Sequence, residues 1–201
     1  GTGCNAQVVL TVHPLPDVIT GNPNVCEGLT TVLASGPAGG AWSSADPSVA
    51  SVNSGTGIVT GVSSLTTGVN GMGMTVITYT LPTSCIQTKD ITVNPLPTSI
   101  TGAMNVCVGD ITILSNATPG GTWQSSDGTK ATVDASGIVT GISAGSVVIS
   151  YTLPTGCIAT WPMTVNDNPA PIGGSLTVCA GFATNLNSSQ FRIIVHRKHY
   201  T

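Results

Sequence analysis

Charge is scarce in this 201-residue sequence: Asp, Glu, Lys and Arg together make up 6% of it, against roughly a quarter in an average soluble domain. Lys and Arg number five and the net charge is −3. A chain so poor in cations is a weak partner for phosphate backbones or anionic lipid, so neither nucleic acid nor a membrane surface is expected. No apolar run approaches the ~20 residues of a membrane-crossing helix. Aromatics are only 4%. Sustained 3.6-residue periodicity is missing, which excludes long amphipathic helices. There is no initiator Met and no signal-peptide pattern, so the sequence reads as a processed or truncated product. Nucleophile-elbow, phosphate-loop and zinc-helix motifs are also missing, so no enzyme, cofactor or metal is expected.

What is present is apolar and hydroxylic. The chain is 40% apolar and sparsely charged, whereas disordered segments combine low hydrophobicity with high charge, so an ordered fold is expected. Ser and Thr supply about a quarter of the residues. A surface of hydroxyls and glycines favours packing against copies of itself, or a coat of covalent glycans.

The sequence also repeats. Thr80-Leu81-Pro82-Thr83-Ser84-Cys85-Ile86 returns as Thr152-Leu153-Pro154-Thr155-Gly156-Cys157-Ile158, and Thr2-Gly3-Cys4 is its stump. Val25-Cys26-Glu27-Gly28 matches Val106-Cys107-Val108-Gly109 and Val178-Cys179-Ala180-Gly181. Val93-Asn94-Pro95-Leu96-Pro97 matches Val12-His13-Pro14-Leu15-Pro16. Cys85 follows Cys4 by 81 residues and Cys157 follows Cys85 by 72. Repetition at this length means serial copies of one small domain. The register gives a terminal strand of a preceding repeat at 1–16, complete copies at 17–97 and 98–169, the first strands of a third at 170–190, and a divergent basic tail at 191–201.

Strand signals fill each copy. Val8–Val12, Thr75–Tyr79, Ile91–Val93 and Val147–Tyr151 are β-branched or aromatic runs bounded by Gly, Pro or Asn. About seven strands are expected per copy: an entry strand (Val18–Thr20; Ser99–Thr101), a second (Leu29–Ala34; Ile111–Leu114), the tryptophan strand (Ala41–Ser44; Thr122–Gln124), two short strands (Ala50–Val52 and Ile58–Thr60; Ala131–Val133 and Ile138–Thr140) and a closing hairpin (Thr75–Thr80 with Ile86–Val93; Val147–Thr152 with Ile158–Val165). Short strands with turns every 8–12 residues indicate a sandwich or barrel.

Trp42-Ser43-Ser44-Ala45-Asp46-Pro47-Ser48-Val49-Ala50-Ser51-Val52, followed by Gly57-Ile58-Val59-Thr60-Gly61-Val62, resembles the signature of bacterial Ig-like group 2 domains. The second copy keeps Trp123-Gln124-Ser125-Ser126-Asp127 and Gly137–Ile142 but lacks the Pro. The resemblance covers both complete copies. It implies an all-β fold of tandem Ig-like β-sandwiches with partial repeats at both ends. It also implies an extracellular spacer or adhesin, similar to repeats in large secreted surface proteins of Bacteroidetes-type bacteria.

Six cysteines stand at two repeat positions. Buried free thiols and a metal site are alternatives, but metal ligands cluster more closely than these. Disulfides Cys26–Cys85 and Cys107–Cys157 are expected, each within one copy, and oxidised cysteines place the chain outside the cytosol. Cys4 and Cys179 are then left over. Either the chain is a fragment of a longer polypeptide, or subunits join head to tail through Cys4 and Cys179, with Gln7–Val12 donated as a strand to the neighbour's unfinished copy. Glycan acceptors are expected at Asn116 and Asn187. The inserted loop, with Thr66, Val69, Asn70, Met72 and Met74, and an exposed Trp161 are candidate contacts. The expectation is a subunit of an extracellular fibre or cell-surface stalk whose partners are copies of itself; the alternative is an adhesin binding glycans or surfaces through Thr66–Met74.

Overall fold

The computed structural model describes residues 8–65, 73–171, 173–174 and 177, and the backbone of 186–187. No helix occurs among the described residues. The fold is all-β, two sandwich-like halves in tandem.

Among its described residues the first copy has seven strands: β1 (Asn24–Cys26), β2 (Thr30–Val32), β3 (Ala41–Ser44), β4 (Ala50–Val52), β5 (Ile58–Gly61), β6 (Gly73–Thr80) and β7 (Ile86–Asn94). One sheet has the order β1-β7-β6-β3 and the other β2-β5-β4. The second copy repeats this with β8 (Asn105–Cys107), β9 (Ile111–Ile113), β10 (Thr122–Ser125), β11 (Ala131–Val133), β12 (Ile138–Gly141), β13 (Gly145–Thr152) and β14 (Ile158–Asn166), ordered β10-β13-β14-β8 and β11-β12-β9.

Period-two patterning explains the first core. Along β6, Thr75, Ile77 and Tyr79 point inward, and on β7 Ile91 and Val93 do. They pack with Ile19, Val25, Leu33, Trp42, Val49 and Val59. Trp42 and Tyr79 sit with ring centroids 4.7 Å apart at 46°, a tilted contact that the ring quadrupoles favour. Trp42 is buried, whereas its counterpart Trp123 is half-buried.

The repeated Gly-Ile-Val-Thr-Gly is forced by two close approaches. A Cβ on Gly57 would lie 2.5 Å from Leu33 O and 2.9 Å from Trp42 Cε2, and one on Gly137 would lie 2.4 Å from Leu114 O. At the other end, a Cβ on Gly61 would meet Cys26 O at 2.8 Å, and one on Gly141 would meet Cys107 O at 2.5 Å. These distances are shorter than van der Waals contact, so only glycine fits.

Two expectations change. The entry strands Val18–Thr20 and Ser99–Thr101 shrink to single bridges, Thr20↔Ala34 and Thr101↔Ser115. The prolines just ahead (Pro16, Pro97) lack the N–H that a ladder needs. In their place, Asn24–Cys26 and Asn105–Cys107 form strands parallel to β7 and β14. Each has one inward residue, Val25 or Val106, too little for a periodic signal. Residues 8–13 form no strand, although Val8–Val12 has strand sequence. The third copy opens with β15 (Gly173–Gly174) against β16 (Leu186–Asn187). Its pair Gly173↔Asn187 repeats Thr20↔Ala34 in register.

By contacts the chain divides into two compact units, one of which takes in the first copy together with residues 116–122 and 151–159.

Candidate functional site

The cysteines are bonded differently from the expectation. Cys26 is joined to Cys157, with Cα atoms 5.7 Å apart at a sequence separation of 131. Cys85 and Cys107 are free and half-buried. The expected Cys26–Cys85 and Cys107–Cys157 bonds are incompatible with the strand register. Parallel pairing sets Cys26 opposite Asn94, the last residue of β7, while Cys85 precedes its first residue. Nine residues of strand hold the two cysteines roughly 30 Å apart, and a disulfide needs Cα atoms within ~7 Å. Cys107 opposite Asn166 and Cys157 ahead of Ile158 repeat the problem in the second copy. The bond therefore runs from the hairpin tip of one copy to the Val-Cys-x-Gly cysteine of the copy before it.

The surroundings repeat as well. Glu27 N donates to Asn94 O at 2.9 Å, and Val108 N to Asn166 O at 3.0 Å. Cys157 Sγ lies 3.9 Å from Asn94 O, and Cys85 Sγ lies 3.8 Å from His13 O, the carbonyl of the matching linker residue. Asn94 is buried, but Asn166 is exposed. Beside it is a hollow of about 280 Å³ lined by Cys107, Val106, Asp110, Ile111 and Asn166. Cys4 and Cys179 lie outside the described residues.

The tryptophan strand, the two glycine contacts and the seven-strand topology together define the repeat. Residues 87–161 match the family model for the bacterial Ig-like domain (group 2). Those residues, rather more than a third of the chain, are similar to the bacterial Ig-like domains of group 2. The match starts in β7 of the first copy and stops within β14, one strand out of phase with the sandwich. None of the curated proteins compared with the chain matches it. Among solved structures, invasin, a bacterial integrin-binding protein, is similar at 16% identity over 79% of this chain and 41% of its own, with a TM-score of 0.46. The S-layer protein SbsC is similar at 19% identity over 73% of this chain and 25% of its own, with a TM-score of 0.30. An intimin mutant of EHEC O157:H7 is similar at 19% identity over 39% of this chain and 54% of its own, with a TM-score of 0.31. The chain thus spans about a quarter of the S-layer structure and about two fifths of the invasin structure.

The remaining candidates are spread over these Ig-like repeats. Thr66, Val69, Asn70 and Met72 lie outside the described residues; Met74 is exposed on β6. Trp161 is half-buried and its Nε1 donates to Ala103 O at 3.3 Å, so its polar atom is occupied. Lys89, at the matching position, donates to Ile19 O at 3.1 Å. The Asn116 side chain is engaged on both atoms: Nδ2 donates to Thr98 O at 2.5 Å, and Oδ1 accepts from Thr98 Oγ1 and Thr118 N, each at 2.9 Å. A glycan on Nδ2 would have to displace the linker contact. Asn187 is described by its backbone alone.

Titratable groups do not converge. Among the described residues, no group of three or more His, Cys, Asp or Glu is placed to hold a metal. Asp46 Oδ1 accepts from Ser48 N and Oγ at 3.0 and 2.5 Å, and Asp127 Oδ1 accepts from Thr129 N and Oγ1 at 2.9 and 2.6 Å. These hydrogen bonds hold both carboxyls below the ordinary value of 3.8, the side-chain hydroxyl bond contributing most in each. They are turn-forming groups in matching loops.

The amino-terminal segment, expected as a donated strand over Gln7–Val12, is uncovered over its described residues 8–13. Leu10 and Val12 occupy the repeat positions of Ile91 and Val93. Ile91 and Val93 are each 0% exposed, whereas Leu10 and Val12 are 84% and 82% exposed.

Proposed function

We propose that this chain is a segment of an extracellular stalk or fibre built from bacterial Ig-like repeats. The observation that carries the reading is the Cys26–Cys157 bond, which runs from one repeat to the next. A cross-link placed between copies serves an extended array under load, and it needs an oxidising, extracytoplasmic setting. The uncovered Leu10 and Val12 support assembly. They hold positions that are buried core in the first copy, and burying both is worth roughly 1.5–3 kcal/mol each. The segment 8–12 would then add to a repeat of another copy as its closing strand. Glycans, if present, would sit on exposed hydroxyls more readily than on Asn116.

The test is electron microscopy with light scattering on the purified chain under oxidising conditions. Concentration-dependent fibres or oligomers are expected, and Leu10→Asp with Val12→Asp should return them to monomers while circular dichroism stays that of a β protein. A wild-type chain that stays monomeric at high concentration would remove the head-to-tail version. The adhesin alternative draws on exposed Met74; deleting residues 66–72 should abolish surface binding if it holds and leave fibre length unchanged if it does not.

A further inference from the structure

We infer that Cys85 and Cys107 are each half of a further inter-repeat staple. Cys85 takes the Val-Cys-x-Gly cysteine of the repeat before it, and Cys107 takes the hairpin-tip cysteine of the repeat after it. The occupant in both cases is an adjoining copy of this repeat. The inference rests on the repeat-array reading of the chain, but concerns its bonds and not its role.

Three observations carry it. First, Cys85 is set against its preceding linker as bonded Cys157 is against its own, with Sγ 3.8 Å from His13 O in one case and 3.9 Å from Asn94 O in the other. Second, Cys107 holds the place of bonded Cys26: each ends a parallel strand opposite an asparagine whose carbonyl accepts the next residue's N–H. Third, the two places differ in cover. Asn94 is buried and has Cys157 beside it, whereas Asn166 is exposed beside a hollow of about 280 Å³ that Cys107 helps to line. The hollow is where a following hairpin tip would seat.

Register also excludes the same-repeat partners among the described cysteines. A partner on the same repeat is roughly 30 Å away along β7 or β14, and the nearest inter-repeat partners, Cys26 and Cys157, are bonded to each other. If separate subunits abut head to tail so that 170–190 and 1–16 complete one repeat, the same rule pairs Cys85 with Cys179 and Cys107 with Cys4, and not Cys4 with Cys179. Each bond forms by exchange with a disulfide-bearing oxidant. Two thiols become one disulfide, and their two hydrogens leave on the oxidant as its dithiol.

The deciding experiment is protease digestion without reduction, followed by mass spectrometry, on the protein as its producing cells export it. Cys85 is expected only in peptides linked to a Val-Cys-x-Gly cysteine other than Cys26. Cys107 is expected only in peptides linked to a hairpin-tip cysteine other than Cys157. Gel mobility separates the sources: a ladder that collapses on reduction means second chains, and an unchanged band means repeats of one polypeptide. Free thiols at both positions, or Cys26–Cys85 or Cys107–Cys157 peptides, would overturn the inference. Free thiols would still leave the stalk reading to microscopy. As a second arm, the Cys157→Ala chain should expose Cys26 to maleimide in full; capture of Cys26 by Cys85 in that variant would also sink the proposal.

Discussion

Two tyrosines show how single atoms fasten these sandwiches. Tyr79 Oη donates to Pro37 O at 2.8 Å and accepts from Gly40 N at 2.9 Å; Tyr151 Oη does the same with Thr118 O at 2.7 Å and Gly121 N at 2.9 Å. Removing the hydroxyl strands two backbone groups of the Gly-Gly turn, so Tyr79→Phe should cost roughly 1–3 kcal/mol in a urea titration. The aspartates give the pH dependence. A carboxyl whose folded pKa is depressed stabilises the fold above its unfolded value and loses that contribution as pH falls through the folded one. With 3.8 as the ordinary value and both groups below it, melting temperature should drop as pH falls below about 4. The double substitution Asp46→Asn, Asp127→Asn should flatten that limb.

At the scale of elements, long hairpins and short paired strands were legible because they alternate inward and outward residues over several turns of pleat. The tryptophan strand Ala41–Ser44 and the strand Ala50–Val52 fall where β-branched and aromatic residues put them. The parallel strands β1 and β8 were not legible, since three residues carrying one buried valine have no measurable period. That gap hid the cysteine pairing: without β1 beside β7, nothing in the sequence says which end of the hairpin Cys26 faces. The equivalence of cysteines across copies was legible, but not which copy each one reaches. Glycine spacing was visible as a motif, and its cause came from contacts. Gly61→Ala drives a methyl into Cys26 O at 2.8 Å. It should lower the urea midpoint and loosen the β1 end, seen as faster amide exchange at Gly28, whose N–H bonds Gly61 O.

For the whole molecule, the disulfide dominates. Closing a loop of 131 residues is worth about 5 kcal/mol in the chain-entropy model. Cys26→Ala with Cys157→Ala should therefore lower the melting temperature measurably, and reductant should lower it by more in the wild type than in the variant. Calorimetry with and without reductant separates the two.

The parallel pairing of β1 with β7 has a mechanical consequence. It brings Cys26 to the strand end from which the chain departs toward the second copy, so the bond to Cys157 shunts tension past the linker and past the strands from β2 to β13. Pulled from its ends, the oxidised chain cannot release the loop closed by the bond, a sequence separation of 131 and about 450 Å of contour at full extension. Single-molecule stretching should show that length only after reduction. Redox state, and not core packing, would then set how far a loaded array gives before it stops.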